Sequence, residues 1–245
     1  HDDIMDSSKK RRGFETVHEK WNVNQAILSG DSMLIMATEF LDFYDSKIQK
    51  DLLKLFNSTA LEVCEGQQLD IEFEKKTDID FDDYIEMITK KTSVLIASSI
   101  KMGGIINQLD SGELDILYEI GLNLGIAFQI QDDYLDLFGD EKIIGKKVGQ
   151  DVVKNKKTAL HHLFLNTASE AQLSKYHDYT NINNDDEKIE KIKSLFIESD
   201  VEKSLKKLVQ EYSNNATSAI ESLNPKFSKT SELILLSEFL LKRNY

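Results

Sequence analysis

Two short acidic strings carry the chemistry this sequence can offer. Asp2-Asp3-Ile4-Met5-Asp6 and Asp132-Asp133-Tyr134-Leu135-Asp136 both read D-D-x-x-D. In a helix, residues four apart share a face, so Asp2 pairs with Asp6 and Asp132 with Asp136. Carboxylates crowded on one turn repel each other unless positive charge lies between them. Two such turns facing each other across a cavity would suit a hard divalent cation, Mg²⁺ above all, which takes oxygen ligands and leaves room for substrate phosphate. A lone cluster could equally be solvated surface in a chain with 43 Asp+Glu against 30 Lys+Arg. The second string differs, because it continues the apolar helical run Leu122, Leu124, Ile126, Ala127, Phe128 and Ile130. Carboxylates on a helix entering the core need a partner or a metal.

Lys9-Lys10-Arg11-Arg12-Gly13 follows the first string and completes D-D-x-x-D-x(4)-R-R-G. Arginine offers a planar fork for bidentate contact with phosphate. Carboxylates holding metal on one side of a diphosphate and Arg11 and Arg12 holding another form a coherent set.

The elements that must position these groups read as helices. The chain has 245 residues and a single proline, Pro225, with Leu/Ile/Lys/Glu-rich segments at helical period. The pattern predicts an all-α protein in one domain, with long helices over 22–43, 46–75, 81–108 (bent or broken near Thr92) and 112–138. Shorter ones are expected over 157–166, 185–197, 200–222 and 228–242. Asp110 and Glu113 supply an N-cap before the fourth long helix. Gly139 to Gly149 and Asn181 to Glu187 read as loops. A net charge of −13 excludes nucleic acid and disfavours an anionic membrane surface as partners. One cysteine, Cys64, excludes an internal disulfide and suits a reducing, cytoplasmic setting. No apolar run approaches the ~20 residues of a transmembrane helix.

Read in order, these motifs resemble the trans-prenyltransferases, the isoprenyl (polyprenyl) diphosphate synthases that include farnesyl and geranylgeranyl diphosphate synthases. Asp2 to Gly13 is similar to the family's first aspartate-rich motif with its arginine pair. Gly30-Asp31, Gly66-Gln67-Gln68-Leu69-Asp70 and Lys91-Thr92 resemble three further signatures. Phe128 to Asp136 resembles the second aspartate-rich motif, and Gly145 to Asp151 with Lys156 the loop that closes over the diphosphate. The resemblance implies an isoprenoid synthase-type helical bundle around a central cavity, usually homodimeric. It implies Mg²⁺, three per site, with Mn²⁺ as a possible substitute. Asp2 and Asp6 would bind two ions with Asp3 alongside; Asp132 would bind a third with Asp133 and Asp136 nearby. Arg11, Lys91 and Lys146 would grip the allylic diphosphate, and Arg12 isopentenyl diphosphate. Gln129, Thr92 and the Lys91 carbonyl would face the developing allylic cation, and Lys156 would support the closed loop. Chain elongation would then proceed by ionisation, condensation and proton loss. Two alternatives stand beside it: a non-catalytic subunit of a heteromeric synthase, which would be expected to lose the acids, and a terpene cyclase on the same scaffold.

The family carries helices before its first motif, so the expectation is a single synthase domain over 1–245 lacking its N-terminal helices. The other candidates read as structural. His161-His162 are adjacent and point to different helix faces, against metal-pair spacing. Cys64 on an apolar stretch reads as core, and Trp21 as packing.

Overall fold

The computed structural model describes residues 1–76, 79–141, 147–223 and 230–241, the side chains of Thr230 and Leu241 excepted. In chain order the elements are α1 (Asp2–Met5), β1 (Lys10–Arg11), β2 (Phe14–Glu15), α2 (Val17–Lys20), α3 (Val23–Glu39) with a 3₁₀ turn at Phe40–Phe43, α4 (Ser46–Phe73), α5 (Phe81–Ile88), a π-helical turn at Thr89–Ser93, α6 (Val94–Ile106) and α7 (Ser111–Phe138). Then come α8 (Gln150–Val153), α9 (Ala159–Thr167), α10 (Glu170–Thr180), α11 (Asp185–Glu198), α12 (Val201–Ser222) and α13 (Thr230–Leu241).

The fold is the expected helical bundle, with local differences that include the short helices α2 and α8, a strand pair and α10. The all-α expectation overlooks one antiparallel pair, β1 with β2, in which Arg11 faces Phe14. Two-residue strands are too short to show an alternating pattern. The segment left unassigned after 166 forms α10, started by a capping box: the Gln172 amide donates to Ser169 Oγ, and Gln172 Oε1 accepts from Ser169 N.

The α7 helix is the axis of the bundle. Asp110 caps it, accepting from Glu113 N at 3.0 Å while Glu113 Oε2 accepts from Asp110 N at 3.1 Å. It packs against α6 and α12. Its first half buries Leu117, Ile120 and Leu124 against Ala216, Ala219 and Ile220. Its second half buries Ile126, Ile130 and Leu137 with Phe164, Ile192, Leu195, Phe196 and Leu205. This second cluster encloses the second acidic motif, so the carboxylates do enter the core.

The expected bend near Thr92 is the π turn between α5 and α6. The C-terminal half of α3 and the 3₁₀ turn after it expose Met33, Leu34, Ile35, Met36, Phe40 and Phe43. Cys64, expected in the core, is exposed on α4, and Trp21 is 61 % exposed with Lys20 over its ring. Cys64 lies on the outward side of an apolar helix stretch, and Trp21 sits at the non-helical end of α2, where no helix face carries it inward. Among the described residues no helix is long and apolar enough to cross a membrane.

Candidate active site

The site begins with a close approach of backbones. Gly66 on α4 lies against the π turn so tightly that a Cβ there would sit 2.2 Å from Lys91 N. A π turn inserts a residue into the helical repeat, a device common at functional sites. Here it places Lys91 and Thr92 on the cleft side of α5–α6. One turn beyond Gly66, Asp70 accepts from Lys91 Nζ at 2.7 Å, and Lys156 Nζ lies 3.7 Å from the same oxygen. Burial lowers the Lys156 pKa, but the charges of Asp70, Asp151, Asp6 and Glu74 outweigh it and leave the value raised. The Lys156 ammonium thus stands charged beside the same Asp70 oxygen that Lys91 Nζ bonds.

The first motif occupies α1. Arg11 Nε donates to both oxygens of Asp3 at 2.9 Å, and Nη2 to Asp2 Oδ2 at 3.1 Å. These bonds, that to Asp3 foremost, raise the Arg11 pKa. Arg11 reaches them from a two-residue hairpin whose turn residues, Arg12 (φ +52) and Gly13 (φ +83), are both left-handed. That is the geometry of a hairpin turn matched to strand twist, and it explains the glycine of R-R-G. Lys91 Nζ is 3.7 Å from Asp2 Oδ1, linking the first motif to the π turn. Lys154 Nζ donates to the Asp6 carbonyl at 3.3 Å.

The second motif divides its labour. Asp133 is buried, and its carboxylate accepts from Tyr84 Oη at 2.7 Å, Ala159 N at 2.9 Å and Gln129 Nε2 at 3.3 Å. Burial, then the nearby charge of Asp151, pushes its pKa up to about 7. Asp136, also buried, accepts from Asp151 N at 3.0 Å, and its carbonyl accepts from Gly149 N. Asp132 is half-buried. Thr92 Oγ1 donates to Gln129 Oε1 at 2.9 Å. The cleft bounded by these groups is lined by Asp70, Tyr84, Lys91, Gln129, Asp133, Asp151 and Lys156 over Met87 and Ile88.

The structure therefore gathers Asp2, Asp3 and Arg11 with Lys91, and Lys91, Thr92, Gln129, Asp133 and Lys156 around one cleft. Arg12 sits at the exposed hairpin turn. Lys146, with Gly145, lies outside the described residues. The two motifs do not form a metal cage: among the described residues no group of three or more His, Cys, Asp or Glu side chains is so placed. Mg²⁺ rarely needs one, since it binds through one or two carboxylates plus substrate phosphates. One atom fits that role directly. Asp2 Oδ1 is buried with no hydrogen-bond partner, beside Lys91. The Lys91 ammonium at 3.7 Å is the cation beside it in this structure, and a metal or donor reaching Asp2 Oδ1 would supply the close partner it lacks.

Three residues escaped sequence reasoning. Asp70 stood within a recognised signature without a role. Asp151 looked like loop. Tyr84 carried the pattern of an ordinary core aromatic, and no local signal marks its hydroxyl. His161 and His162 are structural as expected: His161 Nδ1 meets Tyr176 Oη at 2.8 Å, and His162 packs against the rings of Phe81 and Tyr84.

A helical bundle whose cleft is lined by Lys91, Gln129 and Asp133 of the second aspartate-rich motif, with Asp2 of the first motif 3.7 Å from Lys91, defines an isoprenoid synthase-type protein. Residues 1–198 match the polyprenyl synthetase family model. The chain is 42% identical over 171 residues to a short chain isoprenyl diphosphate synthase of Methanothermobacter thermautotrophicus, covering 69% of this chain and 53% of that protein. It is 42% identical over 175 residues to a geranylgeranyl diphosphate synthase of Saccharolobus solfataricus, covering 70% and 52%. It thus spans about half the length of the curated relatives it matches. A crystal structure of geranylgeranyl pyrophosphate synthase superposes with TM-score 0.93 at 41% identity, over 100% of this chain and 76% of that one. A geranylgeranyl pyrophosphate synthase from Corynebacterium glutamicum, complexed with isoprenyl diphosphate and magnesium, superposes with TM-score 0.89 at 26% identity, over 99% and 74%. The chain belongs to the polyprenyl synthetase family.

Proposed function

We propose that this chain is the catalytic domain of a Mg²⁺-dependent trans-prenyltransferase that joins isopentenyl diphosphate to an allylic diphosphate. The observation that carries the reading is the convergence of Lys91, Gln129 and Lys156 on one cleft with Asp133, where Thr92 bonds Gln129 and Lys91 lies 3.7 Å from Asp2. Asp2, Asp6 and Asp132 would hold the metal, three ions per site with Mn²⁺ as a substitute, and Asp3, Asp133 and Asp136 stand directly beside them. When bound, the metal neutralises diphosphate charge and makes it a competent leaving group.

The chain's own groups do the rest. In the free site Arg11 and Lys91 are paired with Asp2, Asp3 and Asp70, so their positive charge is already positioned for a diphosphate. Arg11, Lys91 and Lys146 bind the allylic diphosphate, Arg12 binds isopentenyl diphosphate, and Lys156 backs the Lys91 side. The C1–O bond breaks and the diphosphate departs with its electron pair. Oxygens of Thr92, Gln129 and the Lys91 carbonyl face the resulting cation, which the apolar floor at Met87 and Ile88 shields from water. The double bond of isopentenyl diphosphate attacks C1, and the proton lost goes to the departing diphosphate. No side-chain base is required. Geranylgeranyl or longer products fit both the two-residue spacing inside the first motif and the names of the relatives.

The reading includes a single catalytic domain, a cytoplasmic setting and a homodimer. The exposed apolar residues of α3 and the following 3₁₀ turn support the dimer, and light scattering returning a monomer would contradict it. The enzymatic test uses the full-length protein with labelled isopentenyl diphosphate, an allylic diphosphate and Mg²⁺. Wild type should yield a longer prenyl diphosphate. Asp2→Ala and Asp132→Ala should each lower turnover by about 10²–10³-fold or more, the scale seen when one preorganised charge-stabilising group is lost. Undiminished turnover in either variant, or a hydrocarbon product, would overturn the assignment.

A further inference from the structure

We propose that Lys188 is a positioning residue: from α11 it pins the far end of α8 and thereby sets where Asp151 and Lys156 stand in the cleft. Its chemical meaning rests on the prenyl-transfer reading; its geometry does not. Lys188 is 4 % exposed and is the fourth residue of α11, outside every motif of the site. Two general rules oppose a lysine there. Ammonium groups are rarely buried without a carboxylate partner, and the N-terminal end of a helix carries positive partial charge. Burial lowers the Lys188 pKa, which the charge of Asp185 only partly offsets. Its Nζ donates to the Val153 carbonyl at 3.0 Å. A neutral amine still keeps N–H groups, so this bond does not depend on protonation. Residues that break local rules in this way tend to mark functional positions.

Val153 is the last residue of α8, and helix ends leave carbonyls without partners. The carbonyls of Gly149, Gln150, Asp151 and Val152 accept from the amides of Val153, Lys154, Lys156 and Asn155 in turn. The Val153 carbonyl comes next, and Lys188 takes it from another helix. Two neighbours widen the contact. A Cβ at Gly149 would sit 2.7 Å from Ile189 Cδ1, and Asp186 Oδ1 accepts from Lys147 Nζ at 2.9 Å. That ion pair is exposed and contributes little, which leaves Lys188 as the buried hold. On its other side the same segment meets the site. Asp151 N donates to Asp136 Oδ2 at 3.0 Å, Lys154 Nζ donates to the Asp6 carbonyl at 3.3 Å, and Lys156 Nζ lies 3.7 Å from Asp70 Oδ2. Asp151 and Lys156 both line the cleft. Lys156 follows Val153 closely in the chain, and the Asn155 and Lys156 amides close the turn between them. Held at Val153 by α11, this segment presents Lys156 to the carboxylate that Lys91 bonds.

Lys188→Met in the full-length protein keeps the apolar stem and removes the donor. Methionine suits a buried position, so the melting temperature should stay or rise. KM for the allylic diphosphate should rise about fivefold, the effect of one net hydrogen bond lost, because Lys156 backs the Lys91 side. Both kcat and KM for isopentenyl diphosphate should stay within about twofold. An unchanged allylic KM in an active variant, or an equal rise in both KM values, would overturn the proposal. A variant that fails to fold would overturn it too, since the lysine would then hold the fold rather than the cleft. A second readout needs no turnover. Amide hydrogen exchange followed by mass spectrometry should show residues 153–156 slow in wild type and about fivefold faster in Lys188→Met, with 124–130 of α7 unchanged. Equal exchange over 153–156 in the two proteins overturns the proposal. Wild type that shows the exchange difference but no condensation would leave the pinning of α8 standing and sink the prenyl-transfer reading.

Discussion

Gly66 shows how one residue decides the position of another far along the chain. Its backbone packs on the π turn with no room for a methyl group, and Lys91 owes its place to that contact. Gly66→Ala should destabilise the protein by about 2 kcal/mol, within the 1–3 kcal/mol typical of overpacking, because the obstacle is backbone and cannot swing aside. Urea unfolding at constant m-value should show it as a lower midpoint, and KM for the allylic diphosphate should rise as Lys91 is pushed from Asp70. The two acidic strings and Arg11 stand out in the sequence by type and spacing, whereas Lys91, Thr92 and Gln129 were singled out by the family resemblance; the structure brings Arg11 to Asp2 and Asp3, Lys91 to Asp2 and Asp70, and Thr92 to Gln129. Residues whose importance comes from what faces them were not legible in the sequence. Asp70 matters because Lys91 and Lys156 converge on it, and Tyr84 because its hydroxyl meets Asp133. Partners of that kind are set by packing between helices, which spacing along one helix cannot reveal.

The Arg12–Gly13 turn links sequence to site through backbone conformation alone. Nothing lies within 4 Å of a Cβ built on Gly13, so Gly13→Ala meets no clash; the cost arises from φ +83. A non-glycine residue there costs about 1–2 kcal/mol. Both strands of the hairpin are exposed, so the strain falls on a local unit and global unfolding should shift little. The expected outcome of Gly13→Ala is an almost unchanged melting temperature with a raised KM for isopentenyl diphosphate, measured by steady-state kinetics; a fall in melting temperature with unchanged KM would show that the turn is structural only. The long helices were readable because 3.6-residue apolar period persists over many turns, and α7 begins within one residue of its expected start. The bend near Thr92 was readable from the motif there. Helix α10 was missed although Ser169 and Gln172 spell a capping box, because its sequence is mostly polar and lacks a strong apolar stripe. The segment carrying Lys146 lies outside the described residues.

At the scale of the whole molecule, the acidic surplus read from the sequence has a counterpart in the fold. Positive side chains gather at the acidic groups: Arg11, Lys91 and Lys154 meet the first acidic motif, and Lys91 and Lys156 converge on Asp70 in the cleft. Behind the cleft, the core is closed by aromatic packing that includes His161, which no functional motif explains. Burial, aided by the charges of His162 and Lys157, lowers the His161 pKa to about 4, from an ordinary value of 6.5. Its ring meets the Tyr176 hydroxyl, which burial keeps protonated. The folded state therefore binds fewer protons at this site than the unfolded chain between those two values. Stability from this group is fully present above pH 6.5, falls as pH drops through that window, and is gone by about pH 4. The shift corresponds to roughly 3 kcal/mol at its limit. Other carboxylates titrate over the same range, so the informative quantity is a difference. His161→Gln removes the titrating group and retains a polar partner for Tyr176. Urea unfolding at pH 7 and pH 4.5 should show wild type losing about 2 kcal/mol more than His161→Gln over that interval. Equal losses in the two proteins would mean that His161 takes up its proton in the folded state as readily as in the unfolded chain.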